Sequence, residues 1–459
     1  MEKNNKFKSL KKELTNLNIE FIDLKSVDLK GKLHSLILPF NMFNEDLLNN
    51  GVGFDASSYG FAKPENSDMV MIPDFSTMFI DPFRERKTAV FIANIHLTDK
   101  ERTRFNQDSR YIAQKAEDFL KETGIATEAS FGPEFEFFIF KKAEFGVYDN
   151  ESYYYIEKDT DEQRNFYHSS APDDEYIDFR NELVHLIESI GIEVKYHHHE
   201  VSVNQHEIET KFNGLVKTAD NTLIIKYLIF NLAKEYDLHV TFMPKPFYGK
   251  AGNGFHVHQY LLKNGKNMFY KKGNYANFSD LGLSYISGIL FHSGSLSAFA
   301  NPSTNSYKRL VRGFEAPVSA VFAMSNRNAA IRLPGYVKDN ETRLEYRAGD
   351  ASSNPYLFLS TMLMAGIDGI FKNLKPEKFN FGPYDSDFLK TKSIAKKIKM
   401  LPDSLESALK ELNKDNEYLL YSKVFSQEII DQWIKIKTKE IDDIKQIPHP
   451  KEFELYFNF

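Results

Sequence analysis

Gly132-Pro133-Glu134-Phe135-Glu136-Phe137-Phe138 is the stretch on which the reading of this chain turns. In a β-strand successive side chains point to opposite faces, so Glu134 and Glu136 share one face while Phe135 turns to the other. The same alternation recurs in Gly254-Phe255-His256-Val257-His258 and in Arg343-Leu344-Glu345-Tyr346-Arg347, and His199-Glu200 is followed shortly by Glu207. A lone pair of glutamates at i and i+2 is ordinarily an exposed strand face. Four such stretches supply more cation-binding and phosphate-binding groups than a folding core needs. They predict a sheet with a charged lining on one side and Phe135, Phe255, Val257, Leu344 and Tyr346 as apolar backing on the other.

Composition narrows the chemistry. At 459 residues the chain is long enough for two domains or more, and 42% hydrophobic with 27% charged residues is ordinary for a globular protein. A net charge of -6 argues against nucleic acid as a partner, because phosphate affinity needs a basic surface. The absence of cysteine removes disulfides, thiolate nucleophiles, zinc-thiolate sites and iron-sulfur clusters, leaving oxygen and imidazole to hold any metal. With no secretory signal and no run of membrane-spanning length, a cytoplasmic protein without a membrane partner is expected.

Residues from about 15 to 100 read as short strands and loops, among them Ser35–Leu38 and Ala89–Ala93. A boundary near Arg104 separates an N-terminal domain, 1–103, from a larger domain, 104–459. Asp108 is placed to cap a helix that carries Ile112, Ala116, Phe119 and Leu120 at helical spacing and stops at Gly124. A second helix shows Phe179, Leu183, Leu186, Ile187 and Ile190 and ends at Gly191. From about 385 onward helical periodicity predicts an appendage to the main body.

The charged stretches, together with His198-His199-Glu200-Val201-Ser202-Val203-Asn204-Gln205-His206-Glu207, Thr241-Phe242-Met243-Pro244-Lys245-Pro246, Asn301–Leu310, Gly313-Phe314-Glu315-Ala316-Pro317, Asn326-Arg327-Asn328 and Ile331-Arg332-Leu333-Pro334, resemble the type I glutamine synthetases. Upstream, Phe54-Asp55-Ala56-Ser57-Ser58 belongs to the same series, and the likeness runs to the tail Pro448–Glu454. The resemblance implies an α+β fold, with a small N-terminal β-grasp-like domain before a large catalytic domain built on an antiparallel curved sheet, or half-barrel, flanked by helices. It implies ATP-dependent ligation of ammonia to L-glutamate by way of γ-glutamyl phosphate. It further implies a homododecamer of two stacked hexameric rings, with active sites between subunits.

Residue by residue, the resemblance assigns Glu136, Glu200 and Glu207 to one metal ion and Glu134, His256 and Glu345 to another. Such an oxygen-rich set suits Mg²⁺ or Mn²⁺, two or more per active site. Arg309, Arg347 and Gly252 are assigned to glutamate; His258, Arg332 and Arg343 to ATP; and Arg327 to the transferring phosphoryl group. Asp55, from a neighbouring subunit, Ser58, Tyr167 and Glu315 are placed around the amine pocket, with Asp55 and Glu315 moving protons. There is no Walker-type glycine-lysine loop, so phosphate handling falls to metals and arginines.

Several residues take plainer readings. His197-His198-His199 is not a ligand triple, because neighbours in a strand cannot all face one ion. Gly51-Val52-Gly53-Phe54-Asp55 mimics a dinucleotide fingerprint, but no helical pattern follows it. Tyr384 lies near a tyrosine that some relatives adenylylate, but the residues after Asp385 do not match and no adenylylation is expected. Two alternatives stand beside ammonia ligation: a γ-glutamyl ligase using a larger amine, and a non-catalytic glutamine-synthetase-like oligomer.

Overall fold

A curved, mainly antiparallel sheet of ten strands organises the large domain. The computed structural model describes residues 2–62, 64–157, 165–314, 316–386, 390 and 395–457. Across the sheet the strands run Val194–His199, Gln205–Thr210, Glu128–Phe140, Phe255–Lys263, Leu344–Tyr346, Ile331–Leu333 and Phe322–Met324, the last two being parallel. Three short pieces complete it, Asn213–Gly214 and His239–Thr241 beside the central strand and Lys266–Asn267 beside Phe255–Lys263. Pro133 falls at the break between two partners of the central strand, Asn213–Gly214 opposite residues 130–131 and Gln205–Thr210 opposite 134–138. There a missing backbone donor does least harm to the ladder.

The alternation read from the sequence is realised. Phe131, Phe135, Phe137, Phe255, Val257, Leu344 and Tyr346 all enter the main core. Helices Ser109–Glu122, Ile177–Ser189, Leu215–Glu235, Asp280–Phe291 and Pro355–Phe371 carry most of the rest of that core. The last two cross at glycines: a Cβ at Gly288 would lie 2.1 Å from the carbonyl oxygen of Ala365 and 2.8 Å from Cα of Gly369. Asp108 caps Ser109–Glu122 by accepting from the Arg110 N–H, while Gly124 and Gly191, at φ +67° and +82°, follow the ends of the two helices read from the sequence.

The N-terminal sheet is mixed, in the order Leu33–Pro39, Phe21–Val27, Thr88–Leu97, Asp68–Pro73, Val52–Asp55, with Phe79–Ile80 also pairing Thr88–Leu97. One side packs a separate core that includes Phe7, Leu14, Phe43, Leu47 and Phe91. Val27, Leu29, Val90 and Ile95 instead join the main core, so this sheet is fastened to the large domain. Polar ties add to that: Tyr227 donates to Asp81 at 2.6 Å and Asn354 donates to the Leu29 carbonyl at 3.2 Å. Helix Glu2–Asn16 goes beyond the sequence reading, and its Phe7 and Leu14 are buried against this small core.

The C-terminal helices Leu405–Lys414 and Gln427–Lys445 are no appendage. Leu409, Leu412, Ile430 and Trp433 sit in the main core, and the Trp433 indole donates to the Ala298 carbonyl at 3.0 Å. An ionic clamp holds this region. His292 follows helix Asp280–Phe291 and places Nδ1 2.9 Å from both Asp415 oxygens, Nε2 2.8 Å from Asp368, and its ring 3.9 Å from that of Tyr418. Both ring nitrogens face carboxylates, and only the imidazolium can donate from both. Burial pushes the His292 pKa down, but Asp368 and Asp415 outweigh it and raise it. Burial likewise opposes ionisation of Asp368, yet His292, Tyr421 and Lys372 hold it at about 2.

A raised histidine pKa contributes stability that is complete below the unfolded-state value and is lost as pH rises through the folded value. His292→Gln is expected to cost about 2–3 kcal/mol near pH 6, the one-third exposure of Asp415 reducing the penalty of a broken buried pair. The gap from wild type should narrow on the alkaline side, as measured by denaturant unfolding across pH. An equal gap at every pH would contradict the clamp.

Candidate active site

Register brings the charged residues side by side. His256, Glu134 and Glu209 occupy one row across three strands; Glu136, Glu207 and His198 form the next; and His258, Glu345 and Arg332 form a third, with Gly132 beside His258. Two glycines make room for these contacts. A Cβ at Gly132 would lie 2.8 Å from the Phe212 ring, and one at Gly254 would lie 2.6 Å from Nε2 of His256 and 2.7 Å from Nη2 of Arg309.

Each acid has its own partners. Glu134 meets His258 Nε2 at 2.7 Å and His256 Nδ1 at 3.1 Å through different oxygens. One oxygen of Glu136 accepts from the Gly254 N–H at 2.8 Å and from Gln205 at 3.1 Å. Glu345 is gripped by Arg347 on one oxygen and by Arg332 on the other. Glu200 accepts from the Val201 N–H at 2.8 Å.

The arginines are built in as firmly. Arg309 is buried and donates to the carbonyls of Ala348, Gly349 and Arg347 at 3.0–3.2 Å, a setting that orients the guanidinium without neutralising it. Arg347 also donates to the Arg327 carbonyl at 3.2 Å. Arg343 lies 3.4 Å from Nδ1 of His258 and packs near the rings of Phe212 and Tyr336, and Tyr336 is shared with Arg332.

These groups line a cavity of about 1170 Å³, above the roughly 300–1,000 Å³ of a single small-molecule pocket and ample for two substrates. Its wall includes Glu134, Glu136, Glu200, Glu207, His256 and Glu345, and also Tyr167, Gly252, Arg309, Arg327, Arg332 and Arg347. His258 and Arg343 are not part of the wall: His258 bonds Glu134, and Arg343 bonds the other side of the His258 ring. Asp55 and Ser58 lie exposed on the N-terminal domain and are not part of this wall. Glu315 is outside the described residues.

Electrostatics divides the acids in two. Burial works against ionisation of Glu134 and Glu345, but His258 and His256 hold Glu134 well below the usual carboxylate range, and Arg347 with its neighbours holds Glu345 at about 2. Glu200 and Glu207 lack such compensation. Burial, then the charge of Glu136, pushes Glu200 up to about 8; burial, then Glu134 and Glu200, pushes Glu207 well above its ordinary value. Buried carboxylates forced to hold protons by their neighbours fit a site made for a cation, and an all-oxygen-and-imidazole set fits a hard one.

Ligand atoms of Glu134, Glu207 and His256 lie within 4.8 Å of one another, as do those of Glu134, Glu209 and His258, and those of His198, Glu200 and Glu207. This grouping differs from the two triples implied by resemblance, because Glu136 is engaged by Gln205 and Gly254, and Glu345 by arginines. Glu209 and His198 were missed in the sequence. Glu209 had a signal, since it follows Glu207 at i+2 just as Glu136 follows Glu134.

Fold and cavity together define a class: a two-domain α+β enzyme whose site is a curved sheet lined by carboxylates and arginines. Residues 18–98 match the family model of the glutamine synthetase β-grasp domain, and residues 106–456 that of the glutamine synthetase catalytic domain. Glutamine synthetase of Mycolicibacterium smegmatis is 39% identical, with 98% of each chain covered, and that of Aquifex aeolicus is 40% identical, with 96% of each covered. Among solved structures, Plasmodium falciparum glutamine synthetase superposes with a TM-score of 0.89 at 26% identity over 98% of each chain. A GmaS–ADP complex gives 0.85 at 25%, covering 98% of this chain and 99% of its own. The chain belongs to the glutamine synthetase family.

Because Glu200 and Glu207 must shed protons to receive a cation, Mn²⁺ affinity should rise with pH up to about 8. Isothermal titration is expected to show Kd falling by about tenfold or more per pH unit between pH 6 and 8. Glu200→Gln should flatten that slope. A pH-independent Kd would contradict the assignment.

Proposed function

We propose that the chain joins ammonia to L-glutamate, driven by ATP, and releases L-glutamine, ADP and phosphate by way of γ-glutamyl phosphate. The observation that carries this is a single cavity with a carboxylate wall for cations and an arginine wall for anions, in a chain of this family. Mg²⁺ or Mn²⁺, two or more per site and held by Glu134, Glu136, Glu200, Glu207, His256 and Glu345, would neutralise phosphate oxygens and polarise the transferring group.

Arg309 and Arg347 are suited to hold the glutamate carboxylates, because both are buried, held in place by hydrogen bonds, and line the cavity. Gly252 shapes that loop: a Cβ there would lie 2.1 Å from the Pro244 carbonyl oxygen. His258, Arg332 and Arg343, gathered at the Glu345 side, would meet ATP. Arg327, on the exposed margin, would meet charge developing on the phosphoryl group.

Ammonium must lose a proton before it can attack the acyl phosphate. Tyr167 and Glu200 border the cavity where a small cation would rest. Asp55 is exposed, and hydrogen bonds from Ser57 and Ser67 hold its carboxyl below the usual range, so it is ionised and able to take a proton. Placed outside its own chain's cavity, Asp55, with Ser58, would serve a neighbouring subunit, the N-terminal domain (1–103) completing the catalytic domain (104–459) of the next copy. The homododecamer of two stacked hexamers would supply that neighbour. The exposed Phe453, Leu455, Tyr456 and Phe457 of the tail suit a contact between rings. Glu315 would close over the intermediate, a role that rests on its sequence motif.

ADP release in the presence of glutamate is expected to respond to ammonium and not to methylamine, ethanolamine or polyamines; a response only to a larger amine would overturn the ammonia reading. Glu345→Gln should lower kcat by roughly a hundredfold or more, as removal of an electrostatic partner of the transition state does, with unchanged circular dichroism. Mixing Asp55→Ala with Glu345→Gln subunits should restore up to about a quarter of wild-type activity, since one site in four then draws two intact halves from different chains. No restoration would place Asp55 in its own chain's site or outside catalysis.

A further inference from the structure

We propose that Arg110 and Gln432 are positioning residues that aim Asp55 at the next subunit's cavity, a role that rests on the reading of Asp55 as the carboxylate that takes the ammonium proton there. An exposed carboxylate that works in another chain's site is aimed by the mounting of its own domain. Arg110 and Gln432 both belong to the large domain, and each grips the N-terminal sheet at a different point.

Asp55 ends the edge strand Val52–Asp55 and stands opposite Asp68. The strand Asp68–Pro73 leads away from it to Asp74, roughly 20 Å further along at the ordinary strand rise. There Nε and Nη2 of the buried Arg110 hold the two oxygens of Asp220 at 3.0 and 2.9 Å, Nη2 also donates to Asp74 at 2.9 Å, and Nη1 donates to Asn94 at 2.7 Å. Asn94 stands opposite Ile72 of the strand that ends at Asp74. Asp220 lies on helix Leu215–Glu235, where Tyr356 also donates to it at 2.6 Å. One guanidinium thus bridges the two domains, and its planar fork fixes the angle between the groups it joins.

The second grip is beside Asp55 itself. Asp55 caps the turn Ala56–Tyr59 by accepting from the Ser57 N–H at 2.9 Å, so its carboxylate moves with that turn. The turn closes at Gly60, at φ +74°, and the Gly60 carbonyl accepts from Gln432 of helix Gln427–Lys445. The bond from Trp433 to Ala298 holds that helix in the core.

Apolar packing of Val27, Leu29, Val90 and Ile95 on the main core resists separation of the domains but has no preferred direction. The ties from Tyr227 to Asp81 and from Asn354 to Leu29 hold the half of the sheet built on Phe21–Val27 and Phe79–Ile80. Arg110 and Gln432 hold the half that carries Asp55. Two separate points fix a direction where one leaves rotation free, and a displacement of about 1 Å in a reacting group can cost about a hundredfold in rate.

The test is steady-state kinetics and subunit mixing on the full-length oligomer. Asp74→Ala combined with Asn94→Ala removes both acceptors on the N-terminal domain and leaves Arg110 paired with Asp220. Gln432→Leu and Gln432→Glu each remove the donor to Gly60, the latter with size retained. Each variant is expected to lower kcat/KM for ammonium by about tenfold or more. ATP affinity, measured by equilibrium titration, should stay unchanged, because the groups that meet ATP lie in the large domain. Co-expressed with Glu345→Gln, each variant should exceed the mean activity of the two parents at limiting ammonium, since Glu345→Gln chains supply a well-aimed Asp55 to an intact cavity. Co-expressed with Asp55→Ala, it should show no such gain, because both parents then lack the same half. Unchanged ammonium kinetics, or lost ATP affinity with no gain alongside Glu345→Gln, overturns the positioning role alone. Failure of Asp55→Ala and Glu345→Gln to complement one another overturns it together with the reading of Asp55.

Discussion

The register of one strand governs the chemistry of this protein. Glu128–Phe140 pairs with Gln205–Thr210 so that Glu136 meets Glu207 and Glu134 meets Glu209, and with Phe255–Lys263 so that Glu134 meets His256. A slip of one residue would turn every acid into the Phe135 and Phe137 core and every phenylalanine into the cavity, so the register is enforced by burial on one side. What that enforcement produces on the other side is a set of carboxylates closer together than water would allow. The fold relieves this in two ways. Glu134 and Glu345 are compensated from within, by His258 and His256 and by Arg347 and Arg332. Glu200 and Glu207 are left to a proton or to a cation from solution.

The same division explains why the arginines surround the acids and do not simply cancel them. Arg332 and Arg347 each spend one donor group on Glu345, and Arg309 spends its donors on backbone carbonyls. Guanidinium charge is therefore positioned beside carboxylate charge without collapsing onto it, which a site that must hold phosphate and metal together requires. Behind the sheet, the glycine-mediated crossing of Asp280–Phe291 with Pro355–Phe371 and the His292 clamp tie the backing helices closely together.

Much of this was legible in the sequence, and the exceptions have physical reasons. Glu134, Glu136, His256 and Glu345 announced a shared face through a period of two, and Asp108, Gly124 and Gly191 marked helix ends by capping chemistry. Which acid stands next to which could not be read, because pairing across strands depends on register between segments distant in the chain, Glu134 meeting both Glu209 and His256. That is why Glu209 was passed over. Helix Glu2–Asn16 escaped notice because a short apolar stripe of Phe7, Leu10 and Leu14 is set among lysines. The C-terminal helices looked peripheral by charge, yet Trp433 and Leu412 anchor them in the core. Asp55 shows a further limit: its motif is plain, but it lies exposed and outside its own chain's cavity.

The central claim is that this register creates cation positions on the acidic face of the sheet. Anomalous diffraction at the manganese edge, from crystals of the full-length protein grown with Mn²⁺, tests it most directly. The account predicts peaks bounded by Glu200 and Glu207 on one side and by Glu134 and His256 on the other. An acidic face without anomalous density, or Mn²⁺ bound only elsewhere on the molecule, would contradict it.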